Sequence, residues 1–129
     1  MGTLPYFGEI VAGKPIDVSL DPGTINLARF FCGEGRYVLR VNGDSMIEEG
    51  IFDEDYVVVQ KQQVAKPGAI IVALVRGSEA TLKYYFPMDT GVVELRPANE
   101  QLKSHYYPAD EVEIQGVLIG VFRDYQAIG

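Results

Sequence analysis

Tyr37-Val-Leu-Arg-Val-Asn-Gly-Asp-Ser-Met-Ile-Glu-Glu-Gly-Ile-Phe-Asp-Glu-Asp-Tyr-Val-Val-Val59 is the stretch on which the reading of this chain turns. Residues 37–41 form a strand-like pattern that runs into the turn pair Asn42-Gly43. Residues 45–49 can make barely more than one helical turn, and Tyr56-Val-Val-Val-Gln60 is a short apolar strand. Strand, sharp turn, helical turn and strand follow one another with no room for a long helix. The local pattern is therefore β.

The flanks extend that pattern. Residues 69–75 are continuously apolar, as a buried strand is. Arg76-Gly77-Ser78 reads as a hairpin turn into residues 79–86, and Pro87-Met-Asp-Thr-Gly91 as a second turn into residues 92–96. Residues 112–122 form a final apolar stretch in which Gly116 and Gly120 signal bulges or bends. Lys103-Ser-His-Tyr-Tyr107, polar and just before Pro108, reads as a loop. Residues 1–24 carry Pro5, Gly8, Gly13, Pro15, Pro22 and Gly23. They read as an extended arm with strand-like pieces such as Glu9-Ile10-Val11. Residues 25–31 fit a helical turn or an extended lead-in equally well. The expected fold is mainly β. It is a strongly bent sheet or partial barrel of short strands, with one short helical turn carrying the serine. An arm over 1–24 precedes a β-rich domain over 25–129.

Composition narrows the function. A chain of 129 residues that is 47% hydrophobic suits one folded domain. The net charge of −7, with eleven scattered basic residues, argues against direct nucleic-acid binding. Cys32 is the only cysteine, so no intramolecular disulfide can form; beside Phe30-Phe31 it reads as an inert thiol. Without an 18-residue apolar run or a basic-then-apolar leader, the expectation is a soluble, cytoplasmic protein with no membrane anchor. His105 is the only histidine, and no phosphate-cradling or dinucleotide fingerprint occurs, so neither metal nor cofactor is expected. Glu48-Glu49 and Asp53-Glu54-Asp55 lack an EF-hand pattern and read as a solvated acidic face.

One pair of residues can carry chemistry. Of the four serines, only Ser45 sits on a sharp Gly-Asp-Ser-Met turn between a strand and a helical turn. Such a turn exposes a hydroxyl and gathers backbone N–H groups, the requirement of an oxyanion hole. Of the five lysines, only Lys83 lies mid-strand with apolar flanks, in Ala80-Thr-Leu-Lys-Tyr-Tyr-Phe86. Desolvation lowers a lysine pKa, and a neutral amine can take a serine proton. Bland readings compete. Ser45-x-x-Glu48 also fits a helix capping box, and a lysine in an alternating strand also fits an edge charge. Residue chemistry alone favours those two. A His105-based triad is disfavoured by its loop setting.

The residue 37–59 stretch closely resembles the serine block of the LexA/UmuD family of self-cleaving proteins (peptidase S24-like). Glu79-Ala-Thr-Leu-Lys-Tyr84 resembles that family's lysine strand, and Leu95-Arg-Pro-Ala-Asn99 and Gly116-Val-Leu-Ile-Gly-Val-Phe122 resemble two later blocks. Pro5-Tyr-Phe-Gly-Glu-Ile-Val-Ala-Gly-Lys-Pro15 is similar to the cleavage region, with Ala12-Gly13 at the scissile position. The match is ordered, covers nearly the whole chain, and reverses the balance. It implies that Ser45 is the nucleophile and Lys83 the general base. It also implies that the Ser45 N–H, with a neighbour at Asp44 or Met46, receives the oxyanion. The implied partners are a second copy of the chain and a RecA filament on single-stranded DNA. DNA would be bound only through a helix-turn-helix domain that this chain lacks. Lys14 stands where UmuD-type proteins tend to carry an aromatic residue, so the C-terminal domain of a LexA-type repressor is the nearer resemblance. A short-armed UmuD-like subunit of translesion synthesis is the alternative. A non-catalytic β dimerisation module would lack Ser45 or Lys83, and a signal-peptidase-like enzyme would carry a membrane anchor.

Overall fold

The computed structural model describes residues 3–6 and 23–128; Ala12, Gly13 and Glu9-Ile10-Val11 lie outside the described residues. The chain divides into two units, Met1–Glu34 and Gly35–Gly129. In the first, β1 (Thr3–Tyr6) pairs antiparallel with β2 (Gly23–Asn26). Helix α1 (Leu27–Phe31) follows at once. Asn26 starts it as N-cap, its side-chain oxygen accepting the N–H groups of Ala28 and Arg29 at 3.0 and 3.3 Å. The extended and helical readings of residues 25–31 are thus both realised, split at Asn26.

The second unit holds seven strands: β3 (Arg36–Arg40), β4 (Tyr56–Lys61), β5 (Ile70–Val75), β6 (Ala80–Pro87), β7 (Val92–Arg96), β8 (His105–Pro108) and β9 (Val112–Phe122). They form one antiparallel sheet in the order β3-β4-β9-β5-β6-β7-β8. The sheet is bent and unclosed, as expected. Helix α2 (Tyr125–Ile128) follows β9. β8 departs from the loop that the polar segment Lys103–Tyr107 suggests. Of its four residues only Tyr107 packs inward, against the cluster that holds Val93 and Leu95. An edge strand with one inward side chain produces no alternation in sequence, and Pro108 is tolerated at its end.

β9 is the spine, pairing with β4 on one side and β5 on the other. Its glycines mark two bulges. Val58 faces Gly120 but Val59 faces Leu118, leaving Ile119 extra. Val72 faces Gly116 but Ala73 faces Ile114, leaving Gln115 extra. Each extra residue bends the strand. Successive residues of β5 serve different cores: Val72 joins Met46, Ile51, Val57, Val59 and Ala98, while Ile71 and Ala73 join Val93 and Leu95. At Gly116 the chains approach too closely for a side chain. A Cβ there would overlap Val59 Cγ1 and lie 2.6 Å from the Gln60 carbonyl oxygen. Gly116→Ala should destabilise the domain by about 3 kcal/mol, because backbone cannot give way as a side chain can. Chemical denaturation with an unchanged midpoint would refute this.

Candidate active site

The serine turn is built by the chain crossing from β3 to β4. Gly43 adopts φ 109°, a conformation that favours glycine, and its N–H donates to Asp53 Oδ1 at 2.7 Å. Val41 is bonded through both backbone groups across the base of the loop: its N–H donates to the Asp55 carbonyl at 2.7 Å and its carbonyl accepts the Glu54 N–H at 2.8 Å. Met46, beside the serine, is 2% exposed and plugs into the core with Ile51. Burying such a side chain contributes about 1.5–3 kcal/mol, which fixes the turn to the sheet. The helical turn expected over 45–49 is shorter, a 3-10 turn over Ile47–Glu49 ended by Gly50 at φ 77°. Ser45 lies in the turn just before it.

The acidic residues of this loop are not uniformly solvated, as their clustering suggested. Asp55 is wholly buried. Its carboxylate accepts from Arg123 Nε at 2.5 Å, Arg123 Nη2 at 2.7 Å and Phe52 N–H at 2.8 Å. The guanidinium also donates to the Gly50 carbonyl at 3.0 Å and lies over the Phe52 ring at 4.6 Å. Those bonds hold the Asp55 carboxyl below the usual carboxylate range. Nothing in the local sequence pairs residue 55 with residue 123, so this partner was not legible.

Lys83 comes from β6. Residues 84–87 pair with β7, whereas residues 80–83 have β5 as their only strand partner among the described residues. Lys83 Nζ donates to Ser45 Oγ at 3.2 Å and to Thr81 Oγ1 at 2.5 Å. Thr81, two residues earlier, leaves the strand on the same face. Burial pushes the Lys83 pKa down, and no carboxylate lies within ion-pair distance of it among the described residues. The two bland readings fail here. Ser45 caps no helix: the N-cap position is Met46, and the Glu48 carboxylate accepts the Glu100 N–H at 2.7 Å. Lys83 is half-buried, and its amine meets two hydroxyls where an edge charge would reach into solvent.

The pair lines a cavity of about 340 Å³. Its wall includes residues 43–46 of the turn, residues 80–83 of β6, and apolar Leu39, Val57 and Val72. A hydroxyl, a desolvated amine and a strand at one hollow can hold an extended peptide and attack its carbonyl. His105 does not line this hollow. No group of three or more His, Cys, Asp or Glu side chains suited to a metal occurs among the described residues.

Residues 5–119 match the model of the peptidase S24-like family. The chain belongs to that family. It is 48% identical over 123 residues to a LexA repressor of Novosphingobium aromaticivorans, covering 95% of this chain and 52% of that protein. It is 42% identical over 122 residues to a LexA repressor of Koribacter versatilis, covering 95% and 58%. A LexA repressor of Syntrophobacter fumaroxidans is 39% identical over 125 residues, covering 96% and 60%. The chain thus spans about half the length of the curated relatives it matches. None of the helices among the described residues of this S24-like protein is long and apolar enough to cross a membrane.

Proposed function

We propose that this chain is the self-cleaving serine–lysine peptidase domain of a LexA-type repressor, with its own Ala12–Gly13 bond as substrate. The observation that carries the reading is the 3.2 Å contact between Ser45 Oγ and a Lys83 amine whose surroundings depress its pKa. A neutral Lys83 takes the Ser45 hydroxyl proton as Oγ adds to the Ala12 carbonyl carbon. The resulting oxyanion is received by backbone N–H groups of the serine turn. Collapse breaks the Ala12–Gly13 bond, and Lys83 returns the proton to the departing Gly13 amine. Water then hydrolyses the Ser45–Ala12 ester. Small residues at the cut let the backbone bend into a tight site. Tethering the arm makes attack intramolecular, with a high effective concentration, so a modest catalyst suffices for one turnover.

On this reading a RecA filament on single-stranded DNA favours the cleavage-competent state, and the domain pairs with a second copy. The LexA repressors among its relatives support that placement. The test is to incubate the purified chain from pH 7 to pH 10 and follow its mass. The expected result is a cut after Ala12 whose first-order rate is independent of protein concentration and rises as Lys83 loses its proton. A chain intact at every pH, even with RecA filament added, would sink the proposal.

A further inference from the structure

The segment Leu95-Arg-Pro-Ala-Asn99 has no part in the chemistry above, yet its last two residues grip the serine turn. Ala98 N–H donates to the Ser45 carbonyl at 2.8 Å, and Asn99 Nδ2 donates to the Asp44 carbonyl at 2.9 Å. The loop is held from its other side. The Glu48 N–H donates to the Ala98 carbonyl at 2.8 Å, and the Gln101 N–H to Asn99 Oδ1 at 2.9 Å. That second bond fixes which way the Asn99 amide faces, because its oxygen is occupied by Gln101 and its nitrogen must meet Asp44. Asn99 is 5% exposed.

Trans peptide geometry turns these bonds into a statement about donors. Across each peptide unit the C=O and the following N–H point in opposite directions. With the Asp44 carbonyl drawn toward Asn99, the Ser45 N–H points away from the loop. With the Ser45 carbonyl drawn toward Ala98, the Met46 N–H does the same. Neither N–H has a hydrogen-bond acceptor among the described residues. The cavity beside Ser45 is lined by Gly43, Asp44, Ser45 and Met46 but not by Ala98 or Asn99, the two residues that draw the carbonyls of the turn.

We propose that Asn99 is a positioning residue for the oxyanion hole: it holds the Asp44–Ser45 peptide so that the Ser45 N–H, together with the Met46 N–H, faces the reacting carbonyl. The inference rests on the peptidase reading given above. Oxyanion stabilisation depends on donors fixed before charge develops, and losing one costs roughly 10²–10³-fold in rate.

Two variants of the full chain separate this role from plain loop support. Asn99→Ala removes both side-chain bonds. Asn99→Asp keeps the size and the acceptor for Gln101 but, ionised, cannot donate to Asp44. Cleavage is followed by mass across the pH range, with folding checked by circular dichroism. Both variants should lower the plateau rate by about 10²-fold and leave the pH midpoint, set by Lys83, where it was. If Asn99→Asp keeps the wild-type plateau while Asn99→Ala does not, Asn99 merely shapes its own loop and the inference is wrong. A shifted midpoint with an unchanged plateau overturns it too. Should the buried carboxylate prevent folding, Asn99→Ser, too short to reach the Asp44 carbonyl, replaces it with the same expected loss. A wild-type chain that never cleaves overturns the peptidase reading itself; a cleaving wild type matched by its Asn99 variants overturns only this assignment.

Discussion

Lys83→Ala should slow cleavage of the Ala12–Gly13 bond by about 10²–10⁴-fold and remove its alkaline pH dependence, the loss typical of a missing general base. Ser45→Ala should abolish the cut, because no other hydroxyl beside the Lys83 amine is placed to attack: Thr81 Oγ1 is its second partner, on the lysine's own strand. The fold should survive both changes. Lys83 is held in surroundings that disfavour its ammonium form, which lowers its pKa in the folded state. The unfolded chain binds more protons at this site between the folded pKa and the ordinary lysine value. Stability therefore rises with pH across that window, and the penalty is complete below it. Near neutral pH, Lys83→Ala should melt at the same temperature as wild type or higher. A variant that folds, cleaves at the wild-type rate and keeps the pH midpoint would remove Lys83 from the mechanism. A variant that fails to fold would contradict the stability argument.

Arg123→Ala should be the most damaging single change to the fold outside the core. It leaves Asp55, which is 0% exposed, as a buried carboxylate without its cation, a defect that costs about 3–5 kcal/mol. The reverse change, Asp55→Ala, should cost less, because Arg123 is 24% exposed and its charge can reach water. Arg123→Lys should rescue poorly, since an ammonium cannot reproduce the two-oxygen contact or lie over Phe52 as a plane. The pH dependence follows from the depressed Asp55 pKa. The ion pair's contribution is complete above the unfolded aspartate value, near 4, and is lost as pH falls through the folded value. Wild type and Arg123→Ala should therefore differ most at neutral pH and converge in acid. Because Arg123 also grips the Gly50 carbonyl just after the 3-10 turn, cleavage should slow in parallel with the loss of stability. Urea denaturation at pH 7 and pH 3 measures both effects, and equal destabilisation at the two pH values would contradict the assignment.

Much of the molecule is legible before any fold is known. Strands declare themselves where burial imposes a pattern, as in the apolar run of β5. Turns declare themselves where backbone conformation demands it: Arg76 and Gly77 both take positive φ in the hairpin between β5 and β6. Gly116 and Gly120 announced the two bulges because a glycine inside a strand has few other uses. β8 escaped because an edge strand buries too little to leave a period. The acidic run escaped because three adjacent carboxylates look alike until one of them, Asp55, is turned inward.

The site divides in the same way. Sequence by itself determined the mainly β character, the turn that presents Ser45, and the apolar flanks that desolvate Lys83, because each is a property of a few adjacent residues. Only the tertiary structure decided that these two side chains meet at 3.2 Å and that Thr81 shares the amine. It likewise decided that Asn99 and Ala98 hold the peptides of the serine turn from behind. Those contacts span 38 and more than 50 residues. Hydrogen bonds over such separations are set by strand order and by the bends of β9, and no local spacing encodes either.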